Sequence, residues 1–156
     1  MQELTFYIAD THTLVWFLTG NRKLNSISKQ LLLNRNARIV VPVAVFEDLR
    51  KHYRHQQNKH CHFALPPPIP VFRILRKVKH VRIYPCDEQV EAEVLELEHR
   101  STGVTCSEDL EILATFLVLH RNLTAKKQRV VYFGADGRIC GFLARKGLKE
   151  HILRSH

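Results

Sequence analysis

The chain has 156 residues, 45% of them hydrophobic and 25% charged. Those proportions suit a folded domain with a substantial core and exclude a disordered or collagen-like chain, and no apolar run nears the ~20 residues that span a bilayer. The formal net charge of +9 attracts polyanions, nucleic acid first among them, unless it is only a solvated basic surface.

The charge is unevenly placed. Residues 51–82 carry eight lysines and arginines and no acid, whereas residues 83–111 carry nine acids against one arginine. The N-terminus has no basic n-region followed by a small-residue cleavage site, so a cytoplasmic protein is expected. Cys61, Cys86, Cys106 and Cys140 form no C-x-x-C pair and read as reduced, mostly buried thiols. One domain over residues 1–156 is expected, with a basic His/Pro-rich insertion at about 51–80.

In chain order, "LTFYIA" (4–9) is a short β-rich run that suits a buried strand. Residues 11–19 read as a helix that Gly20 ends, and 26–33 as a second helix. "ARIVVP" (37–42) is the next strand. Pro42 can start a helix with Val43, Phe46 and Leu49 on one face. Residues 51–70 read as a helix end and then an extended connection, because three consecutive prolines cannot continue a helix. A basic amphipathic helix is expected over 71–80, and a third strand over 81–85. Residues 87–99 read as a helix with an acidic outer face, Val90, Val94 and Leu97 pointing inward. Thr105 and Glu108 fit a capping box that opens a helix near 106. "RVVYF" (129–133) is a fourth strand, and "RICGFLARKG" a fifth strand or short helix. Strands alternating with helices predict an α/β fold with a mostly parallel sheet covered on both faces.

In such sheets ligands bind beyond the carboxyl ends of the strands. Four acids are expected at that rim: Asp10 after the first strand, Glu47 one turn into the helix after the second, Asp109 in the first turn of the helix opened near 106, and Asp136 after the fourth. Each has an ordinary explanation. Asp10 could cap a helix, Glu47 could be solvated, Asp109 could complement a helix dipole, and Asp136 sits in a turn sequence. Together they suggest carboxylates gathered around a hard divalent cation, which prefers oxygen ligands. Such an ion in a basic protein suits metal-dependent phosphodiester cleavage, and Asp10 reads as a metal-carrying rather than a buried charge.

"YIADTHTLVWFLTGNRKLN", "ARIVVPVAVFEDLR", "SEDLEILATFLVL" and "VVYFGADGRI" resemble, in order, the blocks of PIN-domain ribonucleases, particularly the VapC-like toxins of toxin–antitoxin pairs. The resemblance implies a three-layer α/β/α fold with a sheet of four to five strands and Mg²⁺- or Mn²⁺-dependent cleavage of RNA. It further implies an antitoxin protein partner and a homodimer. It assigns Asp10, Glu47, Asp109 and Asp136 as catalytic metal ligands. Thr11 is a candidate for positioning water or substrate, or else a helix cap. The chain departs from the pattern at three places. Leu110 stands where many relatives have Arg. Gly134 stands where a Thr or Ser precedes the last Asp by two, which removes a hydroxyl. Segment 51–80 is longer and more basic.

Arg73, Arg76, Lys77 and Lys79 form a candidate RNA-contacting stripe, or simply the exposed face of a helix. His52 and His55 could share a helix face in a soft-metal site, with His60, Cys61 and His62 nearby, but no second pair at zinc spacing follows. A non-catalytic PIN-like module that binds RNA or a protein is the alternative reading. A receiver-like signalling domain is disfavoured, because Asp10 has no adjacent acid.

Overall fold

The computed structural model describes residues 3–59 and 65–156. Among these residues, parallel strands form a single five-stranded sheet: β1 (Thr5–Ala9), β2 (Arg38–Pro42), β3 (Val81–Tyr84), β4 (Arg129–Gly134) and β5 (Ile152–Arg154), in the order β3-β2-β1-β4-β5. The helices are α1 (Thr11–Thr19), α2 (Ser26–Leu33), α3 (Val43–Lys59), α4 (Pro68–Lys77), α5 (Glu88–Glu98), α6 (Ser107–Thr124) and α7 (Gly137–Arg145). This is the expected three-layer α/β/α arrangement. The order reverses at β1, whose neighbours are β2 and β4, so the crevice for a ligand falls at the carboxyl end of β1.

Beyond their first residues, Thr5, Arg38 and Arg129, the central strands are apolar, as suits strands covered on both faces. Ile8, Ile39, Val41, Val130, Tyr132 and Phe133 are all buried, and Ile112, Leu113 and Phe116 of α6 are sealed within the same core. Register brings the end of β1 beside the end of β4: Ala9 pairs with Phe133, and the Asp10 N–H donates to the Phe133 carbonyl at 3.2 Å.

Two expectations are corrected, the start of α4 and the capping box of α6. α3 ends at Lys59, inside the 51–70 stretch where a helix end is expected. α4 begins at Pro68 rather than after the prolines. Pro68 and Pro70 lie in its first turn, where the missing N–H groups would have had no intrahelical partner. Of the two readings of 138–147 the short helix is the one that forms, as α7, and the fifth strand is Ile152–Arg154. The capping box does not form: the N-cap of α6 is Cys106, and Thr105 Oγ1 instead accepts a hydrogen bond from Arg138 at 2.9 Å.

Among the described cysteines only Cys140 is buried; Cys86 is exposed and Cys106 half-buried. Cys61, with His60 and His62, lies outside the described residues. The acidic face of α5 is not only solvated, since Glu93 pairs with Arg121 of α6 at 2.7 Å. Among the described residues no helix is long and apolar enough to cross a membrane.

Candidate active site

Asp10 is the residue between β1 and α1. It is 2% exposed, so its charge must be met by donors. Oδ1 accepts from the Thr13 N–H at 2.9 Å, which caps α1. Oδ2 accepts from the Tyr132 hydroxyl and the Ala135 N–H, both at 2.8 Å, and from the Asp136 N–H at 3.3 Å. The expectation of an unburied metal-carrying charge is therefore corrected: Asp10 is buried and held by four donors, and it caps a helix as well. Burial and the adjacent Asp10 charge keep the Tyr132 phenol far above its ordinary range, so it stays a donor.

Asp136 follows β4 and caps α7, its Oδ1 accepting from the N–H groups of Arg138 and Ile139 at 2.9 Å each. Asp109 lies in the first turn of α6. Burial pushes its carboxyl up from 3.8 to about 6, and the charges of Asp136, Asp48 and Asp10 push the same way, against His12. Asp10, Asp48, Asp109 and Asp136 thus form one electrostatic group at the carboxyl end of the sheet.

Glu47 stands apart from that group. Its side chain is 48% exposed and pairs with Arg50 at 2.5 Å. The next residue, Asp48, is buried instead, with His52 Nε2 at 3.3 Å from Oδ1. The phase of α3 explains the difference. Ala44, Val45, Asp48 and Leu49 are buried at i, i+1, i+4 and i+5, the spacing of one helical stripe, whereas Glu47 falls off it. That spacing was the sequence signal for Asp48.

Asp48, Cys106 and Glu108 also bring one ligand atom each to within 4.8 Å of one another, close enough to hold a metal ion. Glu108 already has partners there. Lys51 forms an ion pair with it, while Cys106 Sγ and Ser107 Oγ donate to it at 3.0 and 3.1 Å. Burial opposes its charge, but these bonds outweigh burial and hold its carboxyl down at about 2.

Thr11 is buried, and among the described residues its hydroxyl has no hydrogen-bond partner. Thr13, two residues on, does more. Its hydroxyl bonds Ser155 Oγ at 2.8 Å, and Ser155 N–H donates to the Gly134 carbonyl at 3.1 Å, which ties the chain after β5 to the rim. Leu110 is buried in the core. The hydroxyl absent at Gly134 has a counterpart in Tyr132, two residues earlier on the strand.

Arg73, Arg76, Lys77 and Lys79 are all exposed. Arg73 and Arg76, with Arg50 and Glu47, edge an apolar groove floored by Phe46, Ile69 and Phe72. The histidine pair does not share a site: His52 turns to Asp48, and His55 is exposed.

No protein-family model matches the sequence, and no curated protein matches it at a significant level. Solved structures do match. VapC20 of Mycobacterium tuberculosis, a sarcin–ricin loop cleaving toxin, superposes with a TM-score of 0.57 at 13% identity, over 86% of this chain and 93% of its own. VapBC-1 of nontypeable Haemophilus influenzae gives a TM-score of 0.57 at 17% identity, over 90% of this chain and 93% of the matched one. At such identities the likeness is one of fold, and the chain has the PIN-like fold that its sequence resembles.

Two outcomes follow. Asp109 holds a proton in the folded state between about pH 4 and 6 that the unfolded chain has lost, so its contribution makes stability fall as pH rises through that window and level off above it. In EDTA, Asp109→Asn is expected to melt above wild type at pH 7.5, by on the order of 1 kcal/mol after discounting for solvent screening, with the gap closing by pH 4. Asp10→Asn is expected to lower stability by about 1–3 kcal/mol in urea unfolding, because either amide orientation sets an NH₂ against a backbone N–H.

Proposed function

We propose that the protein is a metal-dependent endoribonuclease that hydrolyses RNA phosphodiester bonds as the toxin of a toxin–antitoxin pair. The observation that carries this reading is the gathering of Asp10, Asp48, Asp109 and Asp136 at the switch point of a parallel sheet, with Asp109 held up at about 6. Carboxylates that destabilise one another lack a cation between them. An all-oxygen donor set at that point fits Mg²⁺ or Mn²⁺ rather than a soft ion.

Asp10, Asp109 and Asp136 would hold the ion, directly or through water, and Asp48 takes the role that the resemblance gave to Glu47. The bound ion supplies charge neutralisation at the phosphate and a water of lowered pKa. Asp10 provides a fixed carboxylate, since its rotamer is set by four donors. The Asp136 backbone N–H reaches Asp10 while its side chain caps α7, so the two carboxylates are set by one turn. Thr11 is not available to position substrate, because its hydroxyl is sealed from solvent. The two departures near the acids leave this arrangement intact: Leu110 fills the core, and Tyr132 brings a hydroxyl to Asp10.

The basic residues of α4 would carry the RNA backbone. The groove over Phe46, Ile69 and Phe72 offers an antitoxin an apolar seat with arginines at its edge. Exposed Ile27 and Leu33 on α2 give a homodimer apolar surface. The fold of the Mycobacterium tuberculosis loop-cleaving toxin is in keeping with this reading.

The test is Mn²⁺-dependent turnover of labelled RNA by purified protein. Asp109→Asn and Asp136→Asn are expected to lose more than the ~10–100-fold typical of removing an outer-shell partner, whereas Glu47→Gln keeps most activity. Absence of metal-dependent turnover in wild type would instead favour the non-catalytic binding module. Neutralising Arg73, Arg76, Lys77 and Lys79 is expected to weaken RNA binding and to shallow the log K against log[salt] slope by about 0.7 for each phosphate no longer neutralised; an unchanged slope removes them from the RNA surface.

A further inference from the structure

Tyr132 and Gly134 stand two residues apart on β4, so their side-chain positions fall on one face of the strand. Tyr132 is fully buried and packs edge-on against Phe116, with 6.5 Å between ring centroids. The ring therefore has little freedom to swing. Its hydroxyl donates to Asp10 Oδ2 at 2.8 Å.

Gly134 does not need to be glycine for its backbone, since it lies in an extended strand and outside the left-handed region. It needs to be glycine for space. A Cβ at that position would overlap the hydroxyl and Cζ of Tyr132 and lie 2.6 Å from Asp10 Oδ2. The hydroxyl of Tyr132 thus fills the volume that a side chain at 134 would enter. A short hydroxyl side chain placed there would reach the same carboxylate oxygen.

We propose that Tyr132 is a positioning residue for Asp10, and that Tyr132 and Gly134 form a single exchangeable unit. One side-chain hydroxyl is delivered to Asp10 Oδ2, either from position 132 with glycine at 134 or from position 134 with a smaller apolar residue at 132. The functional half of this proposal rests on the reading of Asp10 as a metal-holding carboxylate; the steric half does not. Asp10 Oδ2 also accepts from two backbone N–H groups, at Ala135 and Asp136. The phenol is its one side-chain donor among the described residues, and hence the one that a substitution removes. Loss of such a partner typically lowers metal affinity ~10–100-fold.

The experiment compares wild type, Tyr132→Phe, Tyr132→Leu, Gly134→Ser and the double variant Tyr132→Leu/Gly134→Ser. Mn²⁺ affinity is read by calorimetry and thermal stability is read in EDTA. Tyr132→Phe keeps the ring and is expected to fold, yet to bind Mn²⁺ about 10-fold more weakly or worse. Gly134→Ser alone is expected to melt well below wild type. The double variant is expected to melt above Gly134→Ser and to bind Mn²⁺ more tightly than Tyr132→Leu, a non-additive recovery. Wild-type affinity in Tyr132→Phe, or a double variant that binds no better than Tyr132→Leu, overturns the proposal. If wild type binds no Mn²⁺, the metal reading fails, and the melting temperatures decide the exchange alone: recovery in the double variant supports it, and additive losses overturn it.

Discussion

The carboxylate of Asp10 joins the carboxyl ends of two neighbouring strands, β1 and β4. One oxygen caps α1, and the other gathers the Tyr132 hydroxyl of β4 with the first two N–H groups of the turn leading to α7. Burying an ionised carboxylate costs several kcal/mol unless donors replace its water. Charge-assisted hydrogen bonds of this number and length offset that cost. The position of α1 and the course of the β4–α7 turn both depend on this one side chain, and so does the placement of Asp136, whose own N–H belongs to the set.

Asp109 is treated differently. It lies on a separate element, α6, and faces the other acids with few donors to compensate, so burial and neighbouring charges raise its carboxyl to about 6. One carboxylate is thus tightly satisfied and a second is left under electrostatic stress. Stress of this kind costs stability without serving the fold, which is in keeping with the metal-holding role proposed for Asp109. Glu108, one residue earlier, shows the contrast: its bonds from Cys106, Ser107 and Lys51 carry its carboxyl down instead.

Much of this was legible from the sequence. The short, β-branched apolar runs at 4–9, 37–42 and 129–133 suit strands covered on both faces, and the acids that follow the first and last of them then fall at the rim by topology. Asp109 was visible because it opens a helix. Asp48 was not, because adjacent acids look alike until the burial of Val45 and Leu49 fixes the phase of α3. The prolines misled for a related reason: Pro68 and Pro70 break a helix interior but are harmless in its first turn, and sequence does not say which turn they occupy. Tyr132 was hidden altogether, since a tyrosine in a buried strand reads as core, and only the parallel register of β1 with β4 sets its hydroxyl beside Asp10.

The proposed chemistry depends most on where a divalent ion binds. Crystals soaked in Mn²⁺ and measured for its anomalous signal test this directly. The expected result is a peak among the carboxylates of Asp10, Asp109 and Asp136. No peak there, or a single peak among Asp48, Cys106 and Glu108 instead, would contradict it.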